Sequence, residues 1–233
     1  MKLPTILVIT GLLTATTHAQ VVVLDPGHGG SNSGARGNGL VEKHLTLGVA
    51  TKVAERLRAH GVTVHLTRAG DRTLTLRQRV AYADALPADL FVSIHANASP
   101  TRTQRGFETF VLTPRGIDVD GRALRSDTTT PRKDVDRDVA LVLDDVERGA
   151  SQWEAADLAA RMQKALRTRR GATGDRGVRQ DSHHVLLGAT MPAVLVEIGF
   201  LDHPIEGKEL REPTTQDAIA DAIAQSIEDQ LAY

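Results

Sequence analysis

Residues Val21 to Gly30 read VVVLDPGHGG. Four consecutive apolar residues, three of them β-branched valines, describe a strand buried on both faces, and Asp25-Pro26-Gly27 ends it abruptly. His28 follows at once. Glycines on either side of a single imidazole leave the backbone bare, so a ligand or metal ion can approach that ring closely. A strand buried on both faces belongs to a parallel sheet covered by helices.

After a loop rich in Gly, Ser and Asn, Glu42 opens a helix whose apolar stripe is Leu45, Val49, Val53 and Leu57, ending at His60-Gly61. A carboxylate in a first turn has a plain structural use, since it caps free amides and complements the helix dipole. Val62 to Thr67 reads as a second strand, Leu76 to Ala83 as a short helix carrying Arg77 and Arg79, and Leu90 to Ile94 as a third strand ending at His95-Ala96-Asn97. Phe107 to Leu112 is another strand. Trp153, Leu158, Met162 and Leu166 mark a long helix with a basic end, Gly171 to Ser182 reads as a loop, and Val185 to Leu187 as a short strand. Pro192 to Gly199, PAVLVEIG, is a core strand bearing Glu197, and Ile219, Ile223, Ile227 and Leu231 form a final amphipathic helix. Strands alternating with helices predict one α/β domain: a mainly parallel, twisted sheet of about six strands with helices on both faces.

Lys2 followed by the apolar run Leu3 to Leu13, with small residues Thr17 and Ala19 before Gln20, reads as a cleaved secretory signal over residues 1–19. The run is shorter than the ~20 residues a membrane span needs. Residues 20–233 are then the catalytic domain, exported to the periplasm, the cell envelope or beyond. A formal net charge of −1 gives no global field favouring nucleic acid. The chain has no cysteine, so disulfides are excluded and a metal site must use His, Glu or Asp.

Ligands of open parallel sheets bind outside the carboxyl ends of the strands. His28, His95 and Glu197 fall there, and Glu42 opens the helix beside the first. Two imidazoles and one carboxylate leave a fourth zinc position for water, the pattern of a catalytic rather than a structural site. Hydrolysis also needs a carboxylate off the metal as general base. His28, Glu42 and His95 fit the first role. Glu197 fits the second, because a buried glutamate between Val196 and Ile198 must be paired or bound to something.

In order, LDPGHGG, the Glu42-Lys43 step, Thr67-Arg68 with Asp71, Leu76 to Arg79, FVSIHANA, GFETF, GVRQ and PAVLVEIGFL together resemble the zinc-dependent N-acetylmuramoyl-L-alanine amidases that cut bacterial cell walls. The resemblance implies zinc held by His28, Glu42 and His95, with Glu197 as the catalytic glutamate. It implies peptidoglycan as substrate, cut at the amide between N-acetylmuramic acid and the L-alanine of the stem, in wall remodelling or daughter-cell separation. Division amidases of this type often carry an extra segment that blocks the zinc until an activator protein displaces it. Residues 113–152, Asp- and Arg-rich and then acidic through Asp144, Asp145 and Glu147, stand at that place and are expected to be partly helical. Asp202-His203 replaces a common Ser-Asn, and His183-His184 stands where an aromatic is common. The adjacent histidines are weak metal candidates, since neighbours on a strand face opposite ways. Two rivals stay open: a zinc peptidase acting on the stem itself, and a non-catalytic wall-binding module.

Overall fold

The computed structural model describes residues 19–112, 137–181 and 185–232. The expected signal 1–19, except its last residue, the first part of the inserted segment (113–136) and His183-His184 lie outside the described residues. Strand β1 (Val21–Pro26) is buried along its whole length. It lies between β4 (Thr63–Leu66) and β5 (Leu90–Asn97), parallel to both, and β5 pairs in parallel with β8 (Ala193–Phe200). Beyond β8 come β6 (Phe107–Leu112), antiparallel to it, and β7 (Asp175–Asp181), parallel to β6 at the sheet's edge. The sheet therefore has six strands, mainly parallel as expected. A two-residue hairpin pair, β2 (Arg36–Gly37) and β3 (Leu40–Val41), stands apart from it.

One face is thickly covered. Helix α1 (Glu42–Ala59) buries Leu45, Val49, Val53 and Leu57, the stripe expected from their spacing. Helix α3 (Arg137–Arg170) buries Leu158, Met162 and Leu166, and α5 (Pro213–Leu231) buries Ile219, Ile223 and Ile227. These meet Val22, Leu24, Val92, Ile94, Val194 and Val196 of the sheet in one core. Each such side chain contributes roughly 1.5–3 kcal/mol relative to exposure.

The other face is thinner. Val23, Phe91, Ala193 and Leu195 point that way and are covered by Ala83 of α2 (Leu76–Asp84) and by Val185 and Leu186. Strand alternation then carries the same face on to Asp25, Ser93, His95 and Glu197, where the apolar cover gives way to polar side chains. Helix α2 starts at a capping box: Thr75 accepts from Gln78 N at 3.2 Å while its own amide donates to Gln78 Oε1 at 2.9 Å. That start fixes the orientation of Arg79, one residue further on. A 3-10 turn at Ala172–Gly174 and a four-residue helix, α4 (Glu206–Glu209), complete the described elements.

Several expectations are corrected. Asp175–Asp181 is strand β7, not loop; it bonds to β6 on one side only, and its polar pattern matches an edge. Val185 to Leu187 lies in a turn, its burial serving the second face and not a strand. Trp153 is 80 % exposed and belongs to no core stripe, because α3 begins well before the part that packs on the sheet. The second part of the inserted segment, residues 137–152, is helical as part of α3. No described helix is long and apolar enough to cross a membrane.

Candidate metal centre

The loop after β1 carries His28 in a left-handed conformation (φ 60°), unusual for a residue with a side chain. Two buried arginines hold that loop by its carbonyls. Arg79 donates to Pro26 O at 2.9 Å and His28 O at 2.7 Å, and its charge meets Asp25 Oδ1 at 2.7 Å. Arg68 donates to Pro26 O and Gly27 O, and to Lys43 O in the first turn of α1. The strand end bearing His28 and the helix start bearing Glu42 are thus tied together. Asp25 is closed off by Thr67 at 2.5 Å and Ser93 at 2.8 Å.

Into this frame His28, Glu42 and His95 converge. His28 Nε2 and His95 Nδ1 each lie 3.0 Å from Glu42 Oε1, and the three donor atoms fall within 4.8 Å of one another. His28 Nδ1 is 2.9 Å from Asn32 Oδ1, an acceptor that keeps a proton on Nδ1, so Nε2, here bonded to Glu42 Oε1, would offer its lone pair where a cation replaces the proton between them. Glu42 does not cap its own helix. Its oxygens accept instead from Ala35 N at 2.8 Å and Ala96 N at 3.1 Å, which aims the carboxylate at the histidines. Burial alone would raise the Glu42 pKa, but hydrogen bonds from His28 and His95 hold it well below the usual carboxylate range. Burial likewise works against a charged His28, and the Glu42 carboxylate outweighs it, raising the imidazole above its ordinary value. The structural use considered for Glu42 therefore gives way to a ligand-like one. Gly27 has a steric reason to be glycine: a Cβ there would sit 2.5 Å from the His95 ring.

Glu197 stands opposite His95 in the β5–β8 register and opposite Glu108 in the β8–β6 register. It lies within β8, which runs on to Phe200, not at its last residue as its sequence position suggests. Its Oε2 is buried with no hydrogen-bond partner. Burial, with the charges of Glu42 and Glu108 adding to it, pushes this carboxyl well above the usual carboxylate range. An unpartnered acid beside three convergent donors fits a bound cation together with a reacting water, and the donor set suits zinc. Asn32, Asp25 and Glu108 were given no role by the sequence, although Asp25 closes an apolar run and Glu108 lies within GFETF.

Fold and donor set together define an α/β domain with a group of side chains able to hold a metal ion. The chain belongs to the N-acetylmuramoyl-L-alanine amidase family, whose profile matches residues 22–229. The amidase AmiA of Escherichia coli is 36% identical over 217 residues, covering 89% of this chain and 75% of that protein. Among solved structures, amidase AmiC2 of Nostoc punctiforme superposes with a TM-score of 0.71 at 29% identity, over 93% of this chain and 99% of the other. The CwlD amidase of Clostridioides difficile, solved in complex with the GerS lipoprotein, gives 0.71 at 26% identity, over 91% and 98%. The chain is accordingly a peptidoglycan amidase, a hydrolase of a non-peptide C–N amide bond, and the two rival readings fall away.

Proposed function

We propose that this amidase is zinc-dependent, with His28, Glu42 and His95 as the metal ligands and Glu197 as general base and then general acid. The convergence of the two imidazoles on one carboxylate beside the unpartnered Glu197 Oε2 carries the reading. When bound, zinc would supply the positive charge that polarises the lactyl carbonyl and lowers the pKa of water towards neutral. Glu197 takes a proton from the attacking water as its oxygen joins the carbonyl carbon. It then returns the proton to the alanine nitrogen as the C–N bond breaks and that nitrogen keeps the electron pair. The products are a muramic acid carboxylate in the glycan and a stem peptide with a free N-terminal alanine.

Zinc dependence is tested on purified sacculi. Expected are one zinc per chain, release of intact stems with free N-terminal alanine, loss of release after chelation, and recovery on adding zinc. Activity that survives complete metal removal would defeat the reading. The leader-like N-terminus supports export and action at the cell envelope, in wall remodelling or daughter-cell separation.

The segment 113–152 is proposed to restrain the site, with Asp144, Asp145 or Glu147 facing the metal until an activator protein displaces it. The GerS-bound amidase supports a protein partner for this family. Deleting 113–152 is expected to raise basal hydrolysis of sacculi. A folded deletion variant with unchanged or lower activity would reject the restraint.

A further inference from the structure

Strands β5, β8, β6 and β7 are neighbours, and register places a line of polar side chains across the thin face of the sheet: His95, then Glu197, then Glu108. Beyond Glu108 the line ends in two cations from the edge strand. Arg179 donates from Nε to Glu108 Oε2 at 2.6 Å, and Arg176 Nε lies 3.1 Å from the same oxygen, out of line for a hydrogen bond. Glu108 itself is buried and also accepts from Asn97 at 3.2 Å. One buried carboxylate thus faces two guanidinium groups. The trio keeps a net positive charge, and the Arg179 side chain is 49% exposed on the open side. Arg176 is steadied by Gln104 at 3.3 Å and by the Phe200 ring 5.0 Å below its guanidinium.

A buried acid that gathers two arginines and leaves one half in solvent prepares a site for an anion, because a guanidinium fork binds carboxylates in bidentate fashion. The distance suggests whose anion it is. Glu108 is two strands from His95, roughly 10 Å at about 4.8 Å per strand. In an extended stem, carboxylates on the second and third residues lie about 7 to 13 Å from the scissile carbonyl at about 3.5 Å per residue.

The geometry points to a carboxylate-binding subsite at the β7 edge, where Arg176 and Arg179, oriented by Glu108, take a free carboxylate of the stem peptide while the lactyl amide lies at Glu197. The inference rests on the amidase reading and adds to it a preference between wall chemistries. Stems with that carboxylate free are favoured over stems in which it is amidated.

The test uses zinc-loaded protein and muramyl tripeptides in matched pairs, one pair differing by carboxylate or carboxamide at the second residue, the other at the third. The wild type is expected to lose about 10-fold or more in kcat/KM on the amidated member of one pair, as the loss of a charged hydrogen-bonded partner implies. Which pair responds identifies the residue bound. Arg176→Gln combined with Arg179→Gln should cut the same pair equally, through KM, with zinc content unchanged; Arg179→Lys should keep part of the preference. A ratio measured within each variant is insensitive to partial unfolding. Equal rates on both pairs in the wild type, or a preference that survives the double replacement, would overturn the subsite. Failure to free N-terminal alanine from any of the four substrates would overturn the amidase reading, and the subsite with it.

Discussion

Replacing Glu197 with Gln is expected to lower kcat on sacculi by about 10²- to 10⁴-fold, the range a positioned general acid–base supplies, with zinc per chain unchanged. The amide fills the same space and leaves the histidine–glutamate cluster untouched, so the loss should fall on kcat and not on metal content. A second measurement reads the cost of keeping this acid. Burial with Glu42 and Glu108 nearby raises its pKa in the folded chain. A raised carboxyl contributes stability that is complete below its unfolded pKa, about 4.3, and is lost as pH climbs from there through the folded value. At neutral pH the wild-type side chain therefore destabilises the metal-free fold. Glu197→Gln, neutral throughout, should melt above the metal-free wild type at pH 7, and the gap should close below about pH 4. Retained turnover would remove Glu197 from its role; equal melting at both pH values would mean the carboxyl is not held away from water.

The proposed site residues were legible because they follow strong local patterns. VVVL ends at Asp25 and His28, LFVSI leads to His95, and AVLV leads to Glu197, so sheet architecture alone gathers them. Glu42 was legible as a helix start and ambiguous as a ligand. Its bonds to Ala35 N and Ala96 N, neither of them in its own helix, speak against the capping use and turn the carboxylate towards the histidines. What surrounds the ligands was opaque because it depends on register between segments far apart in sequence. The Glu108–Arg179 pair joins residues 71 apart, and Asp25 to Arg79 spans 54. Strand β7 was missed for a related reason. An edge strand needs no apolar face, and DRGVRQD has the composition of a loop until β6 pairs with it. The antiparallel insertion of β6 next to β8 was equally hidden, yet it brings Glu108 beside Glu197.

Removing the guanidinium of Arg79 should have the largest effect on the fold and site together. Arg79→Met leaves Asp25, fully buried, with the hydroxyls of Thr67 and Ser93 as its remaining side-chain hydrogen bonds among the described residues and with Arg68 as a nearby charge that does not bond it. Breaking a buried pair from one side costs about 3–5 kcal/mol, or roughly 6–20 °C in Tm for a domain of this size. The same change releases His28 O, the carbonyl that Arg79 holds at 2.7 Å, next to a backbone at φ 60°. With that restraint gone His28 can relax towards ordinary backbone angles, turning Nε2 away from Glu42. Zinc affinity should then fall about 10- to 100-fold, as it does when groups that orient metal ligands are lost. Stability and metal affinity separate in the paired variant Asp25→Ala with Arg79→Met. It removes the stranded charge, so Tm should recover relative to Arg79→Met alone, while His28 O is still unheld and zinc affinity should stay low. If zinc affinity recovers along with Tm, the arginine serves the fold alone. If only Tm recovers, the cation buried beneath the loop is what holds a strained histidine ready for the metal.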